Sequence, residues 1–407
     1  MADDRAYDIV LFGATGFTGA LTADYLARHA PAGTRWALAG RNPEKLAAVR
    51  AELAGTDPAL AELDLLTADV TDPASLRAVA EAARVVITTV GPYLTHGDAL
   101  VAACAAAGTD YVDLTGEPEF VDRAYLRHHA TAVARGARLV HACGFDSIPY
   151  DLGVLYTVNR LPEGVPLTVE GFVRASGAFS AGTYHSAITA FSRLRESARS
   201  ARERRAAEGR PEGRVVRGLP GKPRFDRRVG AWALPAPTID PQVVLRSARA
   251  LERYGPEFSY GHNVSIRTLP VALGLAGGTL GLVGLSQVPP AREWLMARKK
   301  SGEGPTPRQR AKAWFKVIFL GEGGGRRIVT EVSGGDPGYG ETAKMLAESA
   351  LCLAFDELPA TAGQVTTATA MGDALTWRLI AAGISFRVRE DVTAPATTIP
   401  TVPAAEG

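Results

Sequence analysis

The stretch Tyr7–Leu26, YDIVLFGATGFTGALTADYL, decides how the chain begins to fold. Ile9, Val10, Leu11 and Phe12 form a short apolar run that suits a strand buried on both faces. Gly13, Gly16 and Gly19 follow at intervals of three, and Leu21, Tyr25 and Leu26 continue with helical spacing. Gly13 permits a tight turn, Gly16 keeps a Cβ out of the way of an approaching pyrophosphate, and Gly19 lets helix and strand pack closely. Backbone N–H groups at the start of such a helix bind phosphate. Gly13, Thr15, Gly16, Phe17, Thr18 and Gly19 are therefore candidate contacts for a dinucleotide. The spacing is GxxGxxG rather than GxGxxG, so support has to come from the flanking sequence.

The next unit supplies it. Trp36–Ala39 reads as a second strand ending in Gly40-Arg41-Asn42. A site that prefers NAD(H) places Asp or Glu there, to accept from the ribose 2′-hydroxyl. Here the position holds Arg41, which suits a 2′-phosphate through charge-assisted hydrogen bonds of about 1.5–3 kcal/mol. Arg41 and Asn42 therefore point to NADP(H). The βα rhythm continues. A third strand ends at Asp69-Val70, beside the expected adenine, and a fourth, Val85–Val90, breaks at Gly91-Pro92-Tyr93. A fifth lies in GTDYVDLTGE and a sixth in GARLVHACGFDSIPYDLG. Helical stretches such as 98–107 and 118–135 separate them. This alternation predicts an α/β fold with a doubly wound parallel sheet, whose ligands lie beyond the carboxyl ends of the strands.

Composition is that of an ordinary globular protein, long enough to bury a sizeable core. The chain has 407 residues, 46% hydrophobic and 22% charged, with a formal net charge of +2. That length suits two domains, and the charge balance does not suggest nucleic acid as a partner. The three cysteines are far apart and no spacing suits a metal. The acidic N-terminus has no apolar core of a secretory signal, so the expected location is the cytoplasm.

GATGFTG (13–19), AGRNPEKL (39–46), TTVGPYLTHGDALVAACAAAGTDYVDLTGE (88–117) and HACGFDSIPYDLG (141–153) together resemble the saccharopine dehydrogenase-like oxidoreductases. GGDPGYGETAKMLAESALCLAFD (334–356) and TATAMGDALTWRLIAAGISF (367–386) resemble the actinobacterial branch that includes trans-acting enoyl reductases. The resemblance implies a first, NADP-binding domain (1–150) and an inserted mixed α/β domain (151–345). It also implies C-terminal helices packing back on the first domain (346–392). A Pro- and Thr-rich tail (393–407) is expected to be disordered. The resemblance leaves the substrate open between an enoyl or other acyl thioester, lipid-linked or carried by a protein, and the C–N bond of an amino-acid conjugate. A catalytically silent, NADP-binding lipid or membrane adaptor is a third reading.

Hydride comes from a nicotinamide, so the protein has to orient it and move a proton. Tyr93 follows the fourth strand, Asp146 the sixth, and His185 lies farther along where the chain would have to fold over the cleft. Each is a candidate proton donor.

Two segments raise questions of partners. Gly182 opens what reads as one long helix rich in arginine, from Arg193 through Arg210, with more basic residues to Arg228. It reads as a solvated face or as a surface for an anionic partner. Thr268–Ala291 carries no charge and has basic residues on both sides. Its glycines at four-residue spacing, Gly274/Gly278 and Gly277/Gly281, suggest close packing at a domain or homodimer interface. Its length and flanks suggest instead a peripheral membrane contact on the inner face of the plasma membrane.

Overall fold

The structure, a computed structural model, describes residues 5–176, 181–298 and 305–393, without the side chains of 181–183 and 393. The strands are β1 (Tyr7–Phe12), β2 (Trp36–Gly40), β3 (Asp64–Thr67), β4 (Ala83–Thr88), β5 (Asp110–Asp113), β6 (Arg138–Val140), β7 (Leu167–Ser176) and β8 (Val215–Gly218). They continue as β9 (Arg224–Asp226), β10 (Ala231–Pro235), β11 (Glu257–Ile266), β12 (Trp314–Gly323), β13 (Arg326–Gly334), β14 (Gly363–Val365) and β15 (Ser385–Thr393).

Seven of them form a parallel sheet in the order β14-β6-β5-β4-β1-β2-β3. Read from β3 to β6 this is the doubly wound 3-2-1-4-5-6 order, with its crevice between β1 and β4. β1 and β2 are buried almost throughout, as continuous apolar runs in a sheet covered on both faces require. Short polar caps start the crossover helices. Asn42 Oδ1 accepts from the Lys45 N–H at 2.9 Å and Asp72 Oδ1 from the Ala74 N–H at 3.0 Å, each with a proline next in sequence.

The second sheet has eight strands in the order β15-β13-β12-β7-β11-β10-β9, with β8 beside β11. It is mixed. β7 runs antiparallel to β12 but parallel to β11, where the sequence suggests an antiparallel strand only. Helix Ile148–Val158 leaves β6 and packs, buried along nearly its whole length, against β7, β12 and β13.

Several boundaries differ from the sequence reading. The third and fourth strands stop at Thr67 and Thr88, because Asp69 and Thr88 hydroxyl and carboxylate groups then bond the backbone two residues on. The long basic helix is two helices, Ala181–Ser192 and Leu194–Glu208, broken where Arg193 turns to bind Glu119 at 2.7 and 2.8 Å. Two of its arginines, Arg193 and Arg204, are drawn into the fold, while Arg195, Arg199, Arg202, Arg205 and Arg210 stay exposed. Arg204 is buried on Asp122 and Glu208, and Arg199 pairs with Glu203. The returning helix on the first domain starts at Gly340, packs on helix Phe17–His29 and precedes β14 in the first sheet. The last strand, β15, belongs to the second sheet through its ladder with β13, not to the first domain. Of the tail expected over 393–407, Thr393 is the last residue of β15, and residues 394–407 lie outside the described residues.

Candidate active site

The glycine turn is built by contacts at backbone distance. Gly13 has φ +92°, a conformation that favours glycine, and its carbonyl accepts from Thr89 Oγ1 at 3.0 Å. Thr89 thereby ties the end of β4 to the turn after β1, across the crevice. A Cβ on Gly16 would meet only the Gly13 oxygen, at 3.4 Å, and otherwise open space. Helix Phe17–His29 starts at this exposed residue without a side-chain cap, so its first N–H groups are available to an anion. Thr15 is exposed, and Thr18 gives its carbonyl to Thr22. The Phe17 ring packs edge-on to Tyr339, 4.8 Å between centroids, with the Arg310 guanidinium 5.5 Å from it.

Three polar residues, Arg41, Asn42 and Asp69, follow the ends of β2 and β3. Arg41 is exposed, with no hydrogen bond or ion pair among the described residues. Asp69 Oδ1 accepts from the Thr71 N–H and hydroxyl, which chiefly holds its carboxyl below the usual range; Arg41 and His96 act in the same direction. Val70 packs into the helical layer, and Asn42 spends its oxygen on the helix cap. Side-chain-free backbone at Gly16, an uncapped helix start and an unpaired cation one strand away fit a dinucleotide phosphate and a 2′-phosphate.

The loop after β4 is held from below. Glu117, almost wholly buried, accepts from the N–H groups of Tyr93 at 3.1 Å and Leu94 at 2.9 Å, and from the Ser186 hydroxyl at 2.8 Å. This fixes Gly91, exposed, and Pro92, half-buried, at the rim. Tyr93 itself turns into the core. Its hydroxyl donates to the Thr88 carbonyl and accepts from the Leu114 N–H, both at 3.2 Å, and burial pushes its pKa far up. Both hydrogen-bonding roles of that oxygen are therefore spent on backbone. Asp113 is a second hub. Its carboxylate takes the His141 Nδ1 at 2.7 Å, the Tyr111 hydroxyl, and the N–H groups of Thr115 and Ala142.

The loop between β6 and helix Ile148–Val158 is strained at both ends. Ala142 has φ +60° and Ser147 φ +104°, neither a glycine. Such residues cost about 1–3 kcal/mol each and cluster at functional sites. Asp113 grips one end, and Thr342 Oγ1 accepts the Phe145 N–H at 3.0 Å. Between them stands Asp146, half-buried, its Oδ2 3.0 Å from where a Cβ on Gly116 would be. Burial first, and then the Asp240 carboxylate, push Asp146 up to about 7. Asp240 is raised to about 6, again foremost by burial. Behind it His262 Nε2 lies 3.5 Å from Asp240 Oδ2, and His262 Nδ1 lies 3.0 Å from the Tyr260 hydroxyl. Burial depresses His262 to about 4, so the ring is neutral near pH 7. Tyr260, kept protonated by burial, donates to Nδ1, which leaves Nε2–H for Asp240.

Asp146 thus joins a polar group that the sequence reading did not contain. Asp240 sits in TIDPQ, which looks like an ordinary helix start, and His262 is one of the inward positions of β11. His185 does not join it through any contact in the described residues; its Nε2 is 3.0 Å from the Met296 carbonyl, in the next helical layer. Cys143, with its thiol pushed well up by burial, is no nucleophile.

Residues 9–140 match the model of the saccharopine dehydrogenase NADP-binding domain. The chain is 38% identical over 421 residues to a trans-acting enoyl reductase of Mycobacterium tuberculosis, covering 94% of this chain and 97% of that protein. It is 36% identical over 414 residues to the trans-acting enoyl reductase of Mycobacterium ulcerans, covering 93% and 97%. A second Mycobacterium tuberculosis protein, provisionally named a trans-acting enoyl reductase, is 40% identical over 421 residues, covering 95% and 98%. Among solved structures, the apo saccharopine dehydrogenase (L-Glu forming) of Saccharomyces cerevisiae shares the fold, with a TM-score of 0.54 at 13% identity over 95% of this chain and 100% of that one. The cradle after β1, the cation after β2 and these relatives converge: the chain is an NADP(H)-dependent oxidoreductase that belongs to the saccharopine dehydrogenase-like family, in its trans-acting enoyl reductase branch.

Proposed function

We propose that the protein reduces the α,β double bond of an enoyl thioester, lipid-linked or carried by a partner protein, with Asp146 as the proton donor. Bound NADPH supplies the hydride that such a substrate takes at its β-carbon. The backbone from Thr15 to Gly19 and Arg41 hold the cofactor's phosphates, and the Glu117-braced rim at Gly91-Pro92 limits the nicotinamide side. Asp146 gives its proton to the α-carbon, which completes the saturated thioester. A carboxyl raised to about 7 is still substantially protonated at neutral pH. Asp240 and the neutral His262 behind it keep that proton in place. The observation that carries the reading is this raised carboxyl pair on a strained loop at the carboxyl end of the sheet. The names of the relatives support the choice of an enoyl group. We place the enzyme in the cytoplasm.

The test is NADPH oxidation with a panel of enoyl-coenzyme A thioesters of increasing chain length, beside amino-acid–keto-acid pairs. Turnover with the enoyl series is expected, with kcat falling above about pH 7 as Asp146 ionises. Asp146→Asn should lose about 10²–10⁴-fold in kcat while NADPH affinity is kept. Turnover only with amino-acid conjugates would overturn the enoyl assignment. Full activity in Asp146→Asn would overturn the acid assignment.

A further inference from the structure

Helix Leu269–Ser286 is packed the wrong way round for a soluble protein. Its 18 residues carry no charge, yet only Ala272 and Ser286 are buried. The side turned to the protein is a stripe of Ala272, Ala276, Thr279, Val283 and Ser286, at alternating steps of four and three. All its leucines but the half-buried Leu282 point out: Leu273 is 64% and Leu280 73% exposed, with Val271, Leu275 and Leu285 beside them. The glycines Gly274, Gly277, Gly278, Gly281 and Gly284 face open space too, with nothing within 4 Å of a Cβ placed on any of them. The four-residue glycine spacing therefore does not serve packing within this fold. Burying a leucine contributes about 1.5–3 kcal/mol, so a helix that hides its small residues and shows its large ones is built for a nonaqueous surrounding.

The flanks identify that surrounding. Arg267 precedes the helix and Arg292 and Arg298 follow it, none in an ion pair among the described residues. Glu293 is the only acid between positions 267 and 298. Trp294 is 52% exposed and carries the Arg298 guanidinium 3.8 Å over its ring, with the exposed Val288 nearby. An apolar helix bounded by cations and an interfacial tryptophan matches the layers of an anionic bilayer surface. A partner protein would seal one face, whereas here every face not turned to the fold is apolar. The helix is about 27 Å long, but it does not cross the membrane. Its start continues β11, and helix Pro289–Ala297 after it packs back on helix Ala181–Ser192, so both ends belong to one body.

We infer that helix Leu269–Ser286, with Trp294 and the three arginines, docks the enzyme on an anionic membrane, lying in the plane of the headgroups. Helix Ala181–Ser192, on which it rests, reaches the site loop through Ser186 and Glu117, so bilayer and crevice are one helix apart.

The experiment is flotation of the full chain with phosphatidylcholine vesicles, with and without phosphatidylglycerol. It is run on wild type and on L273Q/L280Q and R292Q/R298Q, with the mass in solution measured in parallel. Wild type should float with the anionic vesicles. L273Q/L280Q should reduce the floated fraction at least ten-fold, and R292Q/R298Q should reduce it only where phosphatidylglycerol is present. NADPH should still raise the melting temperature of each variant, which shows intact folding and keeps this result separate from the catalytic reading. Wild type remaining in solution with both vesicle types overturns the inference. So does a wild-type dimer that L273Q/L280Q converts to a monomer without any flotation, since the occupant is then a second copy.

Discussion

The carbonyl oxygen of Gly13 lies 2.1 Å from the position that a Cβ on Gly19 would take, so strand and helix meet here backbone to backbone. Gly16 differs, with only the Gly13 oxygen near, at 3.4 Å. Gly19→Ala should cost about 1–3 kcal/mol of stability through overpacking and weaken NADPH with it. Gly16→Ala should melt close to wild type and still bind NADPH poorly. Thermal melts beside fluorescence titration separate the two. Equal destabilisation by both variants would mean that Gly16 is not an open cradle.

Arg41 is the cation beside the expected 2′-phosphate. Arg41→Ala should weaken NADPH roughly 10–100-fold, the loss of one or two charge-assisted hydrogen bonds, and leave NADH nearly unchanged. Titration of both nucleotides decides it, and equal losses for the two would remove Arg41 from the site.

Tyr93 has a hydroxyl committed to Thr88 and Leu114. Tyr93→Phe leaves the Leu114 N–H buried and unpaired, at a cost of about 1–3 kcal/mol. Denaturant unfolding should show that loss, while kcat changes less than three-fold. A fall of a hundred-fold or more in kcat with stability intact would return Tyr93 to the chemistry.

Asp146 and Asp240 both hold protons more tightly in the folded chain than in the unfolded one, where carboxyl groups titrate near pH 4. The folded state is thus favoured at low pH and loses ground as pH rises from about 4 to 7. At about 1.4 kcal/mol per pH unit the two groups together contribute on the order of 7 kcal/mol. Asp240→Asn removes one charge of the pair. It should flatten the decline in melting temperature between pH 5 and pH 8. It should also move the alkaline fall of kcat to lower pH, because Asp146 then ionises more readily. An unchanged pH profile would show that the two carboxyls do not interact.

The parallel sheet and its cofactor end were legible because their signals are local. An apolar run, a glycine turn and a capped helix recur within about thirty residues, and each βα unit can be read alone. Gly13, Gly16, Gly19 and Arg41 belong to that grammar. Asp146 was visible as a polar residue after a strand. Its partners Asp240 and His262 come from a helix start and a strand a hundred residues away, and only the packing of helix Ile148–Val158 between the sheets brings them near. Tyr93 misled for the converse reason: its place after β4 is right, but the direction of its ring depends on Phe120 and Leu114, which sequence spacing does not show. In the arginine-rich segment most charges stay exposed, as a solvated face requires; what spacing does not show is that Arg193 and Arg204 meet Glu119 and Asp122 on helix Pro118–Arg135.

The clasp formed by β14 and β15 has a consequence for synthesis. The first sheet lacks its edge strand until Val365 has emerged from the ribosome, and the second lacks β15 until Thr393 has. The first sheet therefore keeps an open edge at β6 until β14 is made, and the second an open edge at β13 until β15 is made. Such edges recruit other strands. A ribosome stalled before Gly363 would release a chain with both edges open, prone to aggregate rather than to form a working nucleotide-binding half.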